Sequence, residues 1–362
     1  MSSVGRIALP DTSSNQKTRD FWSRQAPPTE ATGGYLYSPV TRPYILETAF
    51  GQEVSERYRD SPTWGWDILF DRYLPRHGVR NVLSLCCGFG HAERIAMSRL
   101  PEAQCLALDI APGAIDVARR LAAEAGIANV RYEVASLDEY EWKPEQYDLV
   151  IANGALHHLT NLEVILPGIR NALRPGGVLV SSEFVGPNYQ DHSPRQIELI
   201  NAASFLVPRE LRSRTGLSWQ SHPRIFRALT RLHMAAARDE QPGWAPWKKR
   251  VAKIMRSLLS RPAVDFGMVH ISPKDHLLRT DPSECIRSAD VVPALKTAFP
   301  DAEILPMGGG LLEFCLDPKF YEKFDFRNDT HVADFHLLCE LERHYMRTGE
   351  IGSDFAYMVA RK

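Results

Sequence analysis

Apolar runs of strand length alternate with helical patterns from about residue 61 to residue 187. Val82, Leu83 and Leu85 form one short apolar run, as expected of a buried parallel strand. Gly88 and Gly90 punctuate the chain, and Ala92, Ile95 and Ala96 then recur at helix-face spacing. Cys105 to Leu108 predicts a second buried strand with Asp109 at its C-terminal end. Pro112 suits the first turn of the next helix, Ile115, Ala118, Ala122 and Ala125 mark its buried face, and Gly126 ends it. Val130 to Asp138 predicts a third strand and Tyr147 to Leu159 a fourth. The Pro-Gly-Gly turn within Leu173 to Pro187 leads into a fifth. Ahead of all of them, Ser61 to Pro75 predicts a helix with Trp66, Leu69 and Leu74 facing the core.

The alternation stops after Pro187 for about a hundred residues, which read as mostly helical. Ser193 and Pro194 cap a helix containing Ile197 and Ile200; two more are expected over Pro223 to Arg238 and Ala245 to Ser260. The core pattern then returns, with a helix at Val291 to Phe299 and a strand at Asp301 to Met307. A flexible turn follows at Gly308 to Gly310, then a helix at His331 to Arg347 and an alternating final strand at Ser353 to Lys362. The expected organisation is an N-terminal segment and cap (1–60), a Rossmann-like core (61–187), a helical lid insertion (188–288) and a return to the core (289–362).

Strand, glycine turn and helix in succession make a first crossover of the kind that cradles a nucleotide, because glycine lets the backbone approach a ligand closely. An acid nineteen residues after Gly90, at the end of the second strand, can accept hydrogen bonds from both hydroxyls of a ribose. In order, these segments resemble the core of class I S-adenosylmethionine-dependent methyltransferases. The glycine turn is similar to that family's first motif, Asp109 to its ribose-binding acid, and the stretch Asn153 to His158 to its fourth motif. The resemblance implies an α/β fold: a Rossmann-like seven-stranded, mostly parallel sheet with an antiparallel last strand. It implies S-adenosylmethionine as cofactor, held by Ser84, Cys86, Gly88, Gly90, Asp109, Ile110, Ser136, Leu137 and Asn153. Ser84 and Cys86 depart from the motif, which has an acid and a glycine there; a serine lacks the charge and a cysteine adds a side chain.

Methyl transfer from a sulfonium is an in-line displacement that needs aligned reactants and, for some acceptors, a base. Candidate bases lie where the fourth and fifth strands end: His157, His158 and Glu183. Tyr189, Gln190, His192 and Gln196 follow the fifth strand and are candidates for acceptor contact. His336, Glu340 and His344 share a helix face at ligand-like spacing, but Arg343 and Arg347 crowd that face, so no metal site is expected. Three other readings share parts of the pattern. A nicotinamide-dependent oxidoreductase would share the glycine turn and the acid, and a catalytically silent binding protein would share the fold. A nucleic-acid methyltransferase is disfavoured by the missing Asn-Pro-Pro-aromatic sequence.

Charge refines the acceptor. Between Pro187 and Pro262 there are 14 Lys and Arg against 5 Asp and Glu, although the whole chain has a formal charge of -1. A basic lid carrying Arg224, Arg227 and Arg231 predicts a small anionic acceptor, methylated on oxygen or nitrogen. The near-neutral total argues against a chain-wide nucleic-acid binder. No run of eighteen apolar residues predicts a membrane span, and the leader lacks a secretory apolar stretch. The six cysteines show no CxxC spacing and read as reduced residues of a cytoplasmic protein; a homodimer is left open.

Overall fold

The apolar run around Leu83 is buried on both faces of the sheet, Val82 in one core cluster and Leu83 and Leu85 in another, which is why it shows little polar alternation. In the computed structural model, β1 (Asn81–Leu85) pairs in parallel with β2 (Gln104–Asp109) on one side and β4 (Tyr147–Ile151) on the other. β3 (Val130–Val134) continues beyond β2, and β5 (Leu173–Phe184) beyond β4, all parallel. β7 (Phe355–Arg361) lies antiparallel between β5 and β6 (Glu303–Gly308). The seven strands run in the order β3-β2-β1-β4-β5-β7-β6. The structure describes residues 12–25, 34–74, 78–208, 210–211, 274, 277–278, 281–316 and 318–362. The expected helices Pro223 to Arg238 and Ala245 to Ser260, with Arg224, Arg227 and Arg231, lie outside the described residues.

Several expected elements are shorter or differently divided. The third strand stops at Val134, and the fourth stops at Ile151, giving way to a short 3-10 turn at Leu156–His158. The helix ahead of β1 splits into an α-turn at Trp64–Ile68 and a wider π-turn at Leu69–Tyr73, with Trp66, Leu69 and Leu74 buried as expected. On the helix Pro112–Glu124, Ile115, Ala118 and Ala122 are buried, but Ala125 lies past the helix end and is exposed. Ser193 caps the helix Pro194–Ser204 by accepting from the Gln196 amide. Leu199 and Ala203 of that helix join the main core, as do Tyr35, Ile45 and Leu46 from the chain before residue 61. These flanking segments are thus structural parts of the core.

The turn at Gly308 to Gly310, expected to be flexible, is pinned. Glu342, buried on the helix Asp329–Thr348, accepts the backbone N–H of Gly309, Leu311 and Leu312, and the Tyr44 hydroxyl. Gly308 has φ 79°, and a Cβ there would sit 2.4 Å from Glu342 Oε1. Glycine is therefore required by close approach as well as by conformation.

Candidate active site

Parallel strands leave their C-terminal ends on one edge of the sheet, and there open α/β sheets bind ligands. A cavity of about 630 Å³ lies along that edge. One half is built from the ends of β1 and β2 and the loops after β3 and β4. Its wall includes Cys86, Gly88, Asp109, Ile110, Ser136, Leu137 and Asn153. Gly88 and Gly154 hold φ 51° and 59°, and a Cβ added to either would meet nothing within 4 Å. Main chain alone therefore borders the open space at two points, a cradle that side chains would fill. Asp109 Oδ2 accepts the Gly88 N–H at 2.9 Å and Oδ1 the Ala111 N–H at 2.8 Å. Burial lifts the Asp109 pKa, and the amides of Ala111, Gly88 and Ile110 work against that rise.

Two residues assigned to this half from sequence lie off the wall. Ser84 is buried beneath the turn and its hydroxyl donates to Glu93, from the following helix. Glu93 is itself buried, and burial pushes its pKa up to about 7 against the Ser84 hydrogen bond. The carboxyl missing at position 84 is thus supplied behind the turn by Glu93. Gly90 begins the helix His91–Ser98 in a left-handed conformation, and a Cβ there would strike the Tyr132 ring. Cys86 does reach the wall, with φ 49°; burial raises its pKa well above the ordinary value, so it remains a thiol.

The other half of the cavity lies over β5 and β7. Because β7 runs antiparallel, its first residue, Phe355, pairs with Phe184 at the end of β5. Phe184, Phe355, Tyr357, Trp64 and Phe314 line this half, with Tyr37. The Phe184 and Phe355 rings meet edge to face at 5.4 Å, and Trp64 lies 6.0 Å from Tyr357.

His157 and His158 stand between the halves, and both line the cavity. Glu183 does not. It is fully buried and accepts the N–H groups of Ala155 at 2.6 Å and Leu156 at 2.9 Å, and it bonds His157 Nδ1 at 2.5 Å. This corrects the reading of Glu183 as a base in contact with the acceptor: it is a positioning residue that holds the turn and orients His157. Burial works to lower the His157 pKa, but Glu183, with Glu284 and Asp281, outweighs it and leaves the pKa raised. Burial and then His157 lower the pKa of His158, whose Nδ1 lies 3.1 Å from Ser283 Oγ.

The candidates just beyond β5 scatter. Gln190 lines the cavity, whereas Tyr189, His192 and Gln196 do not. His192 is buried against the Phe314 ring, and Gln196 donates to the Gly310 carbonyl and to Asp354. On the helix Asp329–Thr348, Arg343 pairs with Glu340 at 2.5 Å and Glu47 at 2.6 Å, and His336 and His344 are exposed.

Residues 77–250 match the family model described as "Methyltransferase domain". The chain carries a methyltransferase domain. Its curated relatives include a malonyl-[acyl-carrier protein] O-methyltransferase of Acetivibrio thermocellus, 33% identical over 104 residues, 29% of this chain and 35% of that protein. A trans-aconitate 2-methyltransferase of Methylobacterium nodulans is 37% identical over 106 residues, 29% of this chain and 39% of that protein. The matches thus span 35% and 39% of those relatives' lengths. A solved structure of geranyl diphosphate methyltransferase in complex with GPP and sinefungin is 12% identical, covering 97% of this chain and 98% of that one, with a TM-score of 0.45.

Around this methyltransferase domain, sequence reasoning missed several wall residues. Trp22, on the helix Thr12–Trp22, stands edge-on to His158 at 5.8 Å, and Arg19 of that helix donates to the Ile110 carbonyl. Glu284 and Glu313 also line the cavity. With His157 and His158, Glu284 makes a trio whose nitrogen and oxygen atoms lie within 4.8 Å of one another. Trp22 is marked only by the adjacent aromatic pair Phe21 and Trp22, and no local signal marks the two acids. Among the described residues, no helix is long and apolar enough to cross a membrane.

Proposed function

We propose that this chain is an S-adenosylmethionine-dependent methyltransferase acting on the oxygen or nitrogen of a small molecule. The observation that carries it is the cradle itself: Gly88 main chain facing open space beside the Asp109 carboxylate, at the end of β2 in a methyltransferase domain. Malonyl-[acyl-carrier protein] and trans-aconitate, named for two relatives, support small or carrier-borne acceptors as a class. When bound, the cofactor supplies a sulfonium-activated methyl group. Asp109 would hold the ribose hydroxyls, with Ile110, Ser136 and Leu137 around the adenine and Asn153 beside the methyl donor. Cys86 contributes a neutral thiol to the same wall.

His157 is the base this reading assigns. Its Nδ1 is engaged by Glu183, which fixes the ring and leaves Nε2 to take the acceptor's proton. The Glu183 carboxylate beside the ring favours the imidazolium that forms. The anionic acceptor expected from sequence rests on Arg224, Arg227 and Arg231, which lie outside the described residues.

Thermal unfolding with S-adenosylmethionine, S-adenosylhomocysteine and NAD tests the reading. Ligand at about 100 times its Kd stabilises by roughly 2.7 kcal/mol. That is a rise of several degrees, at about 2–4 °C per kcal/mol for a chain of this size. The expected outcome is a shift with the two sulfur compounds and none with NAD. Asp109→Ala should weaken S-adenosylhomocysteine binding by about 1.5–3 kcal/mol, roughly tenfold to a hundredfold. A shift with NAD alone would overturn the proposal.

A further inference from the structure

The half of the cavity over β5 and β7 combines an aromatic wall with carboxyl groups. Trp64, Phe184, Phe314, Phe355 and Tyr357 supply ring faces and edges, and Glu313 joins them on the wall. Two more acids stand behind it. Asp354 is buried, and His192 lies 3.7 Å away with a pKa that burial lowers. Glu342 is buried among backbone amides and the Tyr44 hydroxyl. Burial raises the Glu313 pKa to about 7, a hydrogen bond from the Tyr35 backbone N–H works against that rise, and Asp354 and then Glu342 add smaller upward pushes. Glu284 adds a further acid beside His158.

Two arginines stand on the described wall, each tethered to a main-chain carbonyl. Arg94 donates to the Phe89 carbonyl at 2.6 Å on the cofactor side, and Arg42 donates to the Arg59 carbonyl. Ring faces and carboxylates together attract a cation, through the ring quadrupole and through direct ion pairing. Burial holds the pKa of Glu313 and of Asp354 at about 7, so a bound cation would draw them into the charged form, whereas an anion would favour neither.

We infer that the acceptor is an amine-bearing molecule with an apolar or aromatic body, its ammonium group held by Glu313 within the ring of Trp64, Phe314, Phe355 and Tyr357. This rests on the methyltransferase reading above and deepens it by naming the acceptor's chemical class. Glu313 is the specificity-determining residue in this account.

The test is calorimetric titration of the full chain, saturated with S-adenosylhomocysteine, with two size-matched probes: tryptamine and indole-3-propionate. Tryptamine should bind at least tenfold more tightly, and Glu313→Gln should remove most of that preference while S-adenosylhomocysteine still binds. The wild-type ranking decides even where the variant folds poorly, and Glu313→Asp, which keeps the charge, should retain part of the preference. Equal or tighter binding of indole-3-propionate, binding of neither probe, or a preference that survives Glu313→Gln in folded protein would each overturn the inference. Failure of S-adenosylhomocysteine to bind, measured first and alone, would instead remove the methyltransferase reading on which it stands.

Discussion

The two halves of the cavity are made of different materials. Over β1 and β2 the wall combines glycine main chain and small residues with two acids, Gly88, Asp109, Ser136 and Asp138 falling within a span of about fifty residues. Over β5 and β7 the wall is side chain, with Trp64, Phe184, Phe314 and Tyr357 drawn from segments nearly three hundred residues apart. The first kind of wall recognises a ligand by shape and amide direction and can recur unchanged in many proteins. The second depends on which rings and charges are present, so it sets what each chain accepts. Buried carboxylates brace the second half: Glu183 under the His157 turn and Glu342 under the Gly308–Gly310 turn.

The sharpest way to break that contrast is to remove a brace. Glu183→Ala leaves the N–H groups of Ala155 and Leu156 buried without an acceptor and frees His157. Urea unfolding should report a loss of about 3–5 kcal/mol. A loss below about 1 kcal/mol would mean the turn is held by packing alone. Gly308→Ala places a methyl group 2.4 Å from Glu342 Oε1 and 2.8 Å from the Tyr35 hydroxyl, at φ 79°. Its expected cost is about 2–4 kcal/mol in the same assay, from strain and overpacking together. A neutral result would show that the Glu342 brace yields.

The smallest effect concerns the cofactor half and depends on pH. The Glu93 pKa stands at about 7 in the fold, above its ordinary 4.5. The fold therefore binds that proton more tightly than the unfolded chain does. The resulting stability is complete below pH 4.5 and is lost as pH rises through 7. Wild-type protein should lose on the order of 1–3 kcal/mol from this group across that window. Comparing unfolding at about pH 5.5 and pH 8 for wild type and Glu93→Gln isolates it, since Gln cannot titrate. Identical pH slopes for the two proteins would show that the carboxylate under the glycine turn is not desolvated.

What could be read from the sequence follows the same division. The order of β1 to β5, the glycine turn, Asp109 and the Asn153 to His158 stretch depend on local periodicity and spacing, and the structure agrees with them. Glu313 and Trp64 carry no local signature; they become wall residues only when β7 enters the sheet between β5 and β6. Glu183 was legible as an acid at the end of a strand. Whether it faces the cavity or the turn is set by alternation within β5, and a shift of one residue reverses it. Gly308 to Gly310 looked flexible because three glycines allow freedom, yet Glu342, on a separate helix, removes it. Glu93 carries no local signature in the first turn of its helix; its burial against the Ser84 hydroxyl is visible only in the fold.

The Glu342 brace also has a consequence for how the chain is made. Tyr44 and Glu342 are 298 positions apart. At a synthesis rate of about 5–20 residues per second, Tyr44 waits roughly 15–60 s for its partner to emerge. The main-chain cradle around Gly88 and Asp109 can assemble during that wait, because its strands are already outside the ribosome. The half of the cavity over β5 and β7 is therefore completed after the cradle, once Phe355–Arg361 has emerged.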